Sequence, residues 1–380
     1  MAEPDLTPSF LPGLELARRF YLEAVRPLLD ARFPGMRHSA ALLGDGSEVL
    51  GLDDPRSTDH DWGPRLLIFV PDADIHSLRE RMHALLADEL PGIFLEFPTN
   101  FGPPDAGGTR LLEPVSAAPI AHRVEVHSVG AYMKAQLGFD PRGPVTVADW
   151  LSTSSQLLLS VTAGAVYHDG LDELEPLRVK LGWYPHDVWL YLLAAQWKRI
   201  GQEEAFVGRT AEVGDELGSR VVSARLVRDA MRLGFLLERR YAPYSKWLGK
   251  AFRALDCAAI LTSDLLAVLA ADEPRVRERH LSAVYEELAR RHNALGLAPP
   301  VEPTVRHYHD RPYLVIRAER FVEATRAAIT DPAVREIRFD AGSVDQFLDS
   351  TDVLGQPALA RAAAHALYGE GTAGLSPRPK

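Results

Sequence analysis

Two short apolar runs, His38–Leu43 and Arg65–Val70, bracket a polar segment that holds a Gly-Ser turn at Gly46-Ser47 and an acidic pair at Asp59 and Asp61. Apolar runs of this length, bounded by glycine and aspartate, read as strands. If Asp59 and Asp61 open the second strand, their side chains share a face, about 6–7 Å apart along the backbone. Two carboxylates held that close repel unless a cation lies between them. A hard divalent ion, Mg²⁺ or Mn²⁺, takes carboxylate oxygens together with substrate phosphates and is the expected occupant. Gly46-Ser47 would offer backbone N–H groups and a hydroxyl to a phosphate. His60 lies between the acids on the opposite face, where packing or hydrogen bonding is the expected role. Asp-x-Asp alone is more often a solvated turn or a helix cap. The order strand, Gly-Ser, spacer, Asp-x-Asp, strand is what favours a site.

The rest of the first 142 residues supplies a frame for that pair. Helical spacing of apolar residues predicts a helix over 14–33, kinked or split at Pro27. A second amphipathic helix spans 73–90 and stops at Pro91-Gly92. The Pro-, Gly- and Asn-rich stretch 98–108 reads as a loop. Arg123–Ser128 alternates, which predicts a strand with Arg123, Glu125 and His127 on one face. Beyond Pro144 the pattern turns helical over 149–166, 185–202, 221–241, 244–269 and 274–295. A short strand is expected within 308–317. The reading is therefore α+β: a mixed sheet with flanking helices in residues 1–142, a mainly helical domain over 143–370, and a disordered tail at 371–380.

At 380 residues, two domains are the expectation. A net charge of −10 disfavours a broad surface for long nucleic acid. The one cysteine, Cys257, excludes an internal disulfide and a cysteine-cluster metal site; its apolar helical surroundings suggest a buried, inert thiol. The amino terminus, Met1-Ala2-Glu3-Pro4-Asp5, has no signal-peptide pattern, and no apolar run approaches the roughly 20 residues of a membrane span. A cytoplasmic protein without a membrane partner is the expectation. His168-Asp169 and His186-Asp187 lack the spacing of a zinc site, and His307-Tyr308-His309 has i,i+2 spacing but no third ligand in reach.

Gly-Ser followed about a dozen residues later by Asp-x-Asp resembles the signature of the DNA polymerase β-like nucleotidyltransferase superfamily. A larger part of the chain resembles the bacterial group catalogued as domain of unknown function 4037. That resemblance rests on Thr58-Asp59-His60-Asp61-Trp62-Gly63-Pro64-Arg65, Asp149-Trp150-Leu151, Gly164-Ala165-Val166-Tyr167-His168-Asp169, Tyr184-Pro185-His186-Asp187-Val188-Trp189, Gly214-Asp215-Glu216-Leu217-Gly218-Ser219 and Tyr241-Ala242-Pro243-Tyr244-Ser245-Lys246-Trp247. The resemblance implies a nucleotidyltransferase-like sheet and a third carboxylate on the strand beside the Asp-x-Asp strand. Glu125 is the acidic residue in that position, as metal ligand or as base; the alternative is the solvated face of an edge strand.

Nucleotidyl transfer also needs positive charge on the departing pyrophosphate. Pro243 breaks the helical pattern, so Tyr244-Ser245-Lys246 reads as a new helix start, with free N–H groups suited to phosphate. The resemblance implies a Ser/Lys pair from the helical domain, and Ser245-Lys246 fits it, with Tyr241, Tyr244 or Trp247 available to stack on a base. The alternative is a core role for the aromatics and a snorkelling Lys246. Asp215 and Glu216 either contact an acceptor or cap the following helix. Arg311 pairs with a phosphate or with Asp310. The resulting expectation is a Mg²⁺- or Mn²⁺-dependent enzyme moving a nucleoside monophosphate from an NTP, with ATP first choice, to a hydroxyl on a small molecule, protein or RNA. The competing expectation is a nucleotide-binding regulatory module that keeps the fold without turnover.

Overall fold

The computed structural model describes residues 10–368, so the Met1–Asp5 segment and the expected tail at 371–380 lie outside the described residues. The chain opens with α1 (Gly13–Phe20), a π-helical turn over Tyr21–Val25, and α2 (Arg26–Arg32). Pro27 sits in the first turn of α2. It has no N–H to donate, and the π turn directly before it is where the expected split occurs. Next come β1 (Ser39–Leu42), β2 (Arg65–Phe69) and α3 (Ile75–Glu89). A two-residue hairpin of β3 (Ile93–Phe94) and β4 (Phe97–Pro98) precedes β5 (Arg123–His127) and α4 (Val129–Leu137).

The expected single helix over 149–166 is instead α5 (Val147–Ser152) and α6 (Ser155–Thr162), followed by β6 (Ala165–Asp169) and α7 (Leu174–Leu181). Thr153 Oγ1 donates to the Asp149 carbonyl at 2.7 Å, a local bond that competes with helix continuation. Gly164, at φ +70°, then turns the chain into β6; a Cβ there would lie 2.1 Å from the Leu42 carbonyl oxygen. The chain divides into two compact units. One holds the residues up to Pro144 together with Leu157–Gly182, the other Val145–Gln156 and the residues from Trp183 onward.

The first unit is built on a four-stranded sheet in the order β5-β2-β1-β6. β1 runs antiparallel to both β2 and β6, whereas β2 and β5 are parallel, with Arg65 opposite Arg123 and Leu67 opposite Glu125. Alternation along β5 buries Val124 and Val126 against a core containing Phe20, Ile68, Met82 and Leu86. The opposite face of β5 carries Arg123, Glu125 and His127, as period-2 geometry dictates.

The second unit is helical. α8 (His186–Glu203) is buried along most of its length and packs on α10 (Glu216–Leu237) and α14 (Glu319–Ala327). Around them lie α9 (Phe206–Glu212), α11 (Ser245–Phe252), α12 (Ala258–Ala270) and α13 (Pro274–Ala294), with a small hairpin of β7 (Arg306–His307) and β8 (Leu314–Val315). The expected helix over 244–269 divides because Glu238 accepts the N–H groups of Asp256 and Cys257, at 2.8 and 2.7 Å. Cys257 is therefore a buried residue at the start of α12, and burial pushes its thiol up to about 12. Among the described residues no helix is long and apolar enough to cross a membrane.

His292 gives this unit a pH dependence. Its Nδ1 accepts from Trp197 Nε1 at 3.1 Å, and burial pushes the imidazole down to about 4. The unfolded chain therefore binds the proton more readily, so stability present above pH 6.5 is lost as pH falls toward 4. Between pH 7 and pH 5 this group should remove about 2 kcal/mol. Urea unfolding of the wild type and His292→Gln at both pH values should show that difference, since glutamine accepts from Trp197 without titrating. Parallel pH profiles for the two proteins would refute it.

Candidate active site

The β1–β2 connection begins with two glycines whose conformations other residues rarely adopt. Gly44 has φ +97° and Gly46 φ +140°; a Cβ on Gly44 would lie 2.9 Å from the Tyr132 hydroxyl, and one on Gly46 within 2.7 Å of the Glu48 carboxylate. The turn thus folds tightly over Glu48, which is 3 % exposed. Glu48 pairs with Arg65 Nη2 at 2.9 Å. Burial raises the Glu48 carboxyl and Arg65 opposes the rise.

Arg65, the first residue of β2, holds both ends of the β1–β2 connection at once. Nη2 donates to the Asp45 carbonyl and Nη1 to the Asp61 carbonyl, both at 2.8 Å. Asp59 and Asp61 lie in the turn-rich connection ahead of β2 and not on the strand. The expected same-face convergence therefore does not arise from strand geometry. Asp61 has φ +48°, its N–H donates to the Arg110 carbonyl at 2.9 Å, and its carboxylate pairs with Arg123. Asp59 is exposed and pairs with His60 Nδ1 at 2.8 Å.

Glu125 lies on β5 with its side chain about half exposed and is paired with His127 Nε2 at 3.0 Å. That bond, helped by the nearby charges of Arg123 and Arg65, outweighs partial burial and holds its carboxyl below the usual range. It is ionised throughout the neutral range. A cleft of about 150 Å³ is lined by Gly44, Asp45, Arg65, Arg123, Glu125 and Gln136, among others. The glycine turn and the third acid therefore border one space, and Asp61 reaches it through Arg123.

A divalent ion takes hard oxygen donors such as these, but their arrangement does not fit one. Asp59, Asp61 and Glu125 each face a different nitrogen partner. Among the described residues there is no group of three or more His, Cys, Asp or Glu that could hold a metal. Arg123 already supplies a positive charge to Asp61, through an ion pair with its Oδ1. Arg65, Arg123, Glu48 and His127 were absent from the site read off the sequence. For Arg123 and His127 the signal was the alternation that placed them beside Glu125; for Arg65 and Glu48 it was adjacency to the two motifs.

In the second unit Lys246 is on the first turn of α11, exposed, with Nζ 5.1 Å from the Trp247 ring centre; Lys250 lies 5.2 Å from the same ring. Tyr244 caps α11, is 37 % exposed, and donates its N–H to Gln156 Oε1 at 3.1 Å. Tyr241 is buried against Trp183 and Tyr184, so it is core and unavailable to stack on a base. Asp215 caps α10 by accepting the Gly218 N–H at 2.8 Å. Glu216 is held down to about 2 by Arg277, at 2.7 Å, and then by Arg220. Both acids are engaged in anchoring α10. Arg311 pairs with Glu212 at 3.0 Å and not with Asp310. His168 packs on Tyr21 and His38, and Asp187 accepts the Thr330 N–H at 2.7 Å.

The fold is thus α+β, a mixed four-stranded sheet with flanking helices and a helical second unit. Residues 150–248 match the family model described as Domain of unknown function (DUF4037), which shows the sequence resemblance over that segment. A crystal structure of a nucleotidyltransferase-like protein from Exiguobacterium sibiricum 255-15 is similar at 12 % identity and a TM-score of 0.31, over 74 % of this chain and 77 % of that one. No curated protein matches the chain.

Proposed function

We propose that this protein is a nucleotidyltransferase that moves a nucleoside monophosphate from an NTP to an acceptor hydroxyl. The observation that carries the reading is the cleft bordered by Gly44, Arg65, Arg123 and Glu125. The positive charge of Arg65 and Arg123 beside a glycine turn suits phosphate. Arg65 acts as a fixed charge, since its Nη donors are held by the Asp45 and Asp61 carbonyls, and Arg123 supplies the donors. The volume suits a phosphoryl group with the nucleoside outside. In the transfer the acceptor oxygen attacks the α-phosphorus, the bond to pyrophosphate breaks, and Glu125, ionised at neutral pH, takes the hydroxyl proton. Arg123 stabilises the charge that develops on the phosphate.

A second reading, nucleotide binding without turnover, is favoured by the Asp61–Arg123 pair and by the lack, among the described residues, of an assembled set of carboxylates. The two readings separate on incubation with NTPs labelled on the α-phosphate, with Mg²⁺ or Mn²⁺, against hydroxylated metabolites and RNA ends. Transfer yields labelled acceptor and pyrophosphate; a sensor yields binding and neither product.

Lys246 is tested by affinity alone. Lys246→Ala should weaken NTP binding roughly ten- to hundredfold and NMP binding much less, as expected for one charge-assisted contact to the outer phosphates worth about 1.5–3 kcal/mol. Equal losses for both nucleotides would assign Lys246 to packing on Trp247.

A further inference from the structure

The second unit contains a cavity of about 300 Å³, at the lower end of the range used for small molecules. α9, α13, the β7–β8 hairpin and Glu204 after α8 line it, and it opens to solvent. Its walls are mostly apolar, formed by Val207, Ala211, Leu281 and the rings of Tyr285 and Tyr313. Gly208 sets the shape: a Cβ there would lie 2.4–2.8 Å from Tyr313, so only glycine lets that ring close against α9.

The charges around the cavity are unequal, with Glu204, Glu212 and Glu278 against Arg275. Arg275 is turned toward Glu278, at 3.1 Å, and toward the Pro312 carbonyl. Glu212 has Arg311 outside the cavity. Glu204 is 7 % exposed and accepts the N–H groups of Ile316, Arg317 and Ala318 at 2.7, 3.1 and 3.1 Å, with no ion pair among the described residues. Burying a carboxylate without a cation is costly, and burial pushes this one up to about 7. Tyr285, 2 % exposed on the same wall, has a buried hydroxyl with no hydrogen-bond partner. A buried carboxylate that lacks a counter-charge among the described residues therefore borders this apolar space.

We propose that this cavity binds a small apolar ammonium compound, its body against Val207, Leu281 and Tyr313 and its charge toward Glu204. An ammonium has three donors and no acceptor, so it matches the Glu204 carboxylate, which has no cation of its own among the described residues. Tyrosine rings favour a cation over a neutral group of equal size. Glu212 is held by Arg311 and Glu278 by Arg275, so Glu204 is the acid left without a cation among the described residues, which disfavours an anion. The assignment rests on the second unit alone and is independent of nucleotide chemistry.

The test titrates benzylamine, protonated at pH 7, and the neutral benzyl alcohol into the full chain by ligand-observed NMR or calorimetry. Benzylamine should bind at least roughly tenfold tighter than the alcohol, the ratio expected of one hydrogen bond to a charged group. Glu204→Gln should remove that preference. Because Glu204 also anchors backbone, Ala211→Trp provides a second arm: Ala211 is only partly buried on α9, and the indole should fill the cavity and abolish binding of both probes without unfolding the unit. Equal affinity for amine and alcohol, or unchanged amine binding in Ala211→Trp, would overturn the proposal.

Discussion

Arg65→Met should destabilise the first unit by about 3–5 kcal/mol, the effect of removing one partner from a buried ion pair. The side chains of Arg65 and Glu48 are 11 % and 4 % exposed, and the pair closes at 2.9 Å. Methionine fills similar volume but leaves Glu48 charged and uncompensated. It also removes the donors that tie the Asp45 and Asp61 carbonyls to β2. The deficit should shrink as pH falls toward the carboxylate range. Glu48, its folded pKa raised above the unfolded value, then takes up a proton in the folded state first. Replacing Glu48 by Leu as well should restore much of the loss, because removing both charges leaves neither buried alone. Urea unfolding followed by circular dichroism measures all three proteins. A single variant within about 1 kcal/mol of the wild type, the size of an exposed pair, would show that this pair is not a structural anchor.

Glu125→Gln should leave the fold intact and lower transfer by about 10²–10⁴-fold, the usual contribution of a positioned proton acceptor. The side chain is about half exposed and its partner His127 is itself accessible, so little stability depends on it. NTP affinity should hold or rise, since a negative charge is removed beside Arg123. Steady-state kinetics would place the loss in kcat and not in KM. Full transfer by the variant would return Glu125 to the solvated face of a strand.

The sheet was legible because its strands carry their own signals. β1, β2 and β5 are apolar or alternating runs between glycine, aspartate and proline, and β5 shows the burial pattern its sequence predicts. β6 was hidden inside an apolar stretch that also fits a helix, and Gly164 was its one local marker. Helix existence was readable, but helix breaks were not when a distant side chain made them, as Glu238 does ahead of α12. Gly44 and Asp45 line the cleft in place of the expected Gly46 and Ser47, whereas Glu125 could be placed there from pattern and resemblance. The pairing of Asp61 with Arg123 could not, because it joins residues 62 positions apart through a contact that no periodicity encodes. Arg65 is similar: its position at a strand start was visible, and its grip on both ends of the β1–β2 connection was not.

The most direct test of the central claim is acceptor-dependent pyrophosphate release, measured with NTPs labelled on the α-phosphate. Wild type and Glu125→Gln are compared side by side, with Mg²⁺ and with Mn²⁺. Nucleotidyl transfer predicts that the wild type releases pyrophosphate and labels the acceptor in equal amounts, and that Glu125→Gln binds the NTP yet does neither at a comparable rate. Tight NTP binding by both proteins, with no pyrophosphate and no labelled acceptor from either across the panel, would contradict it.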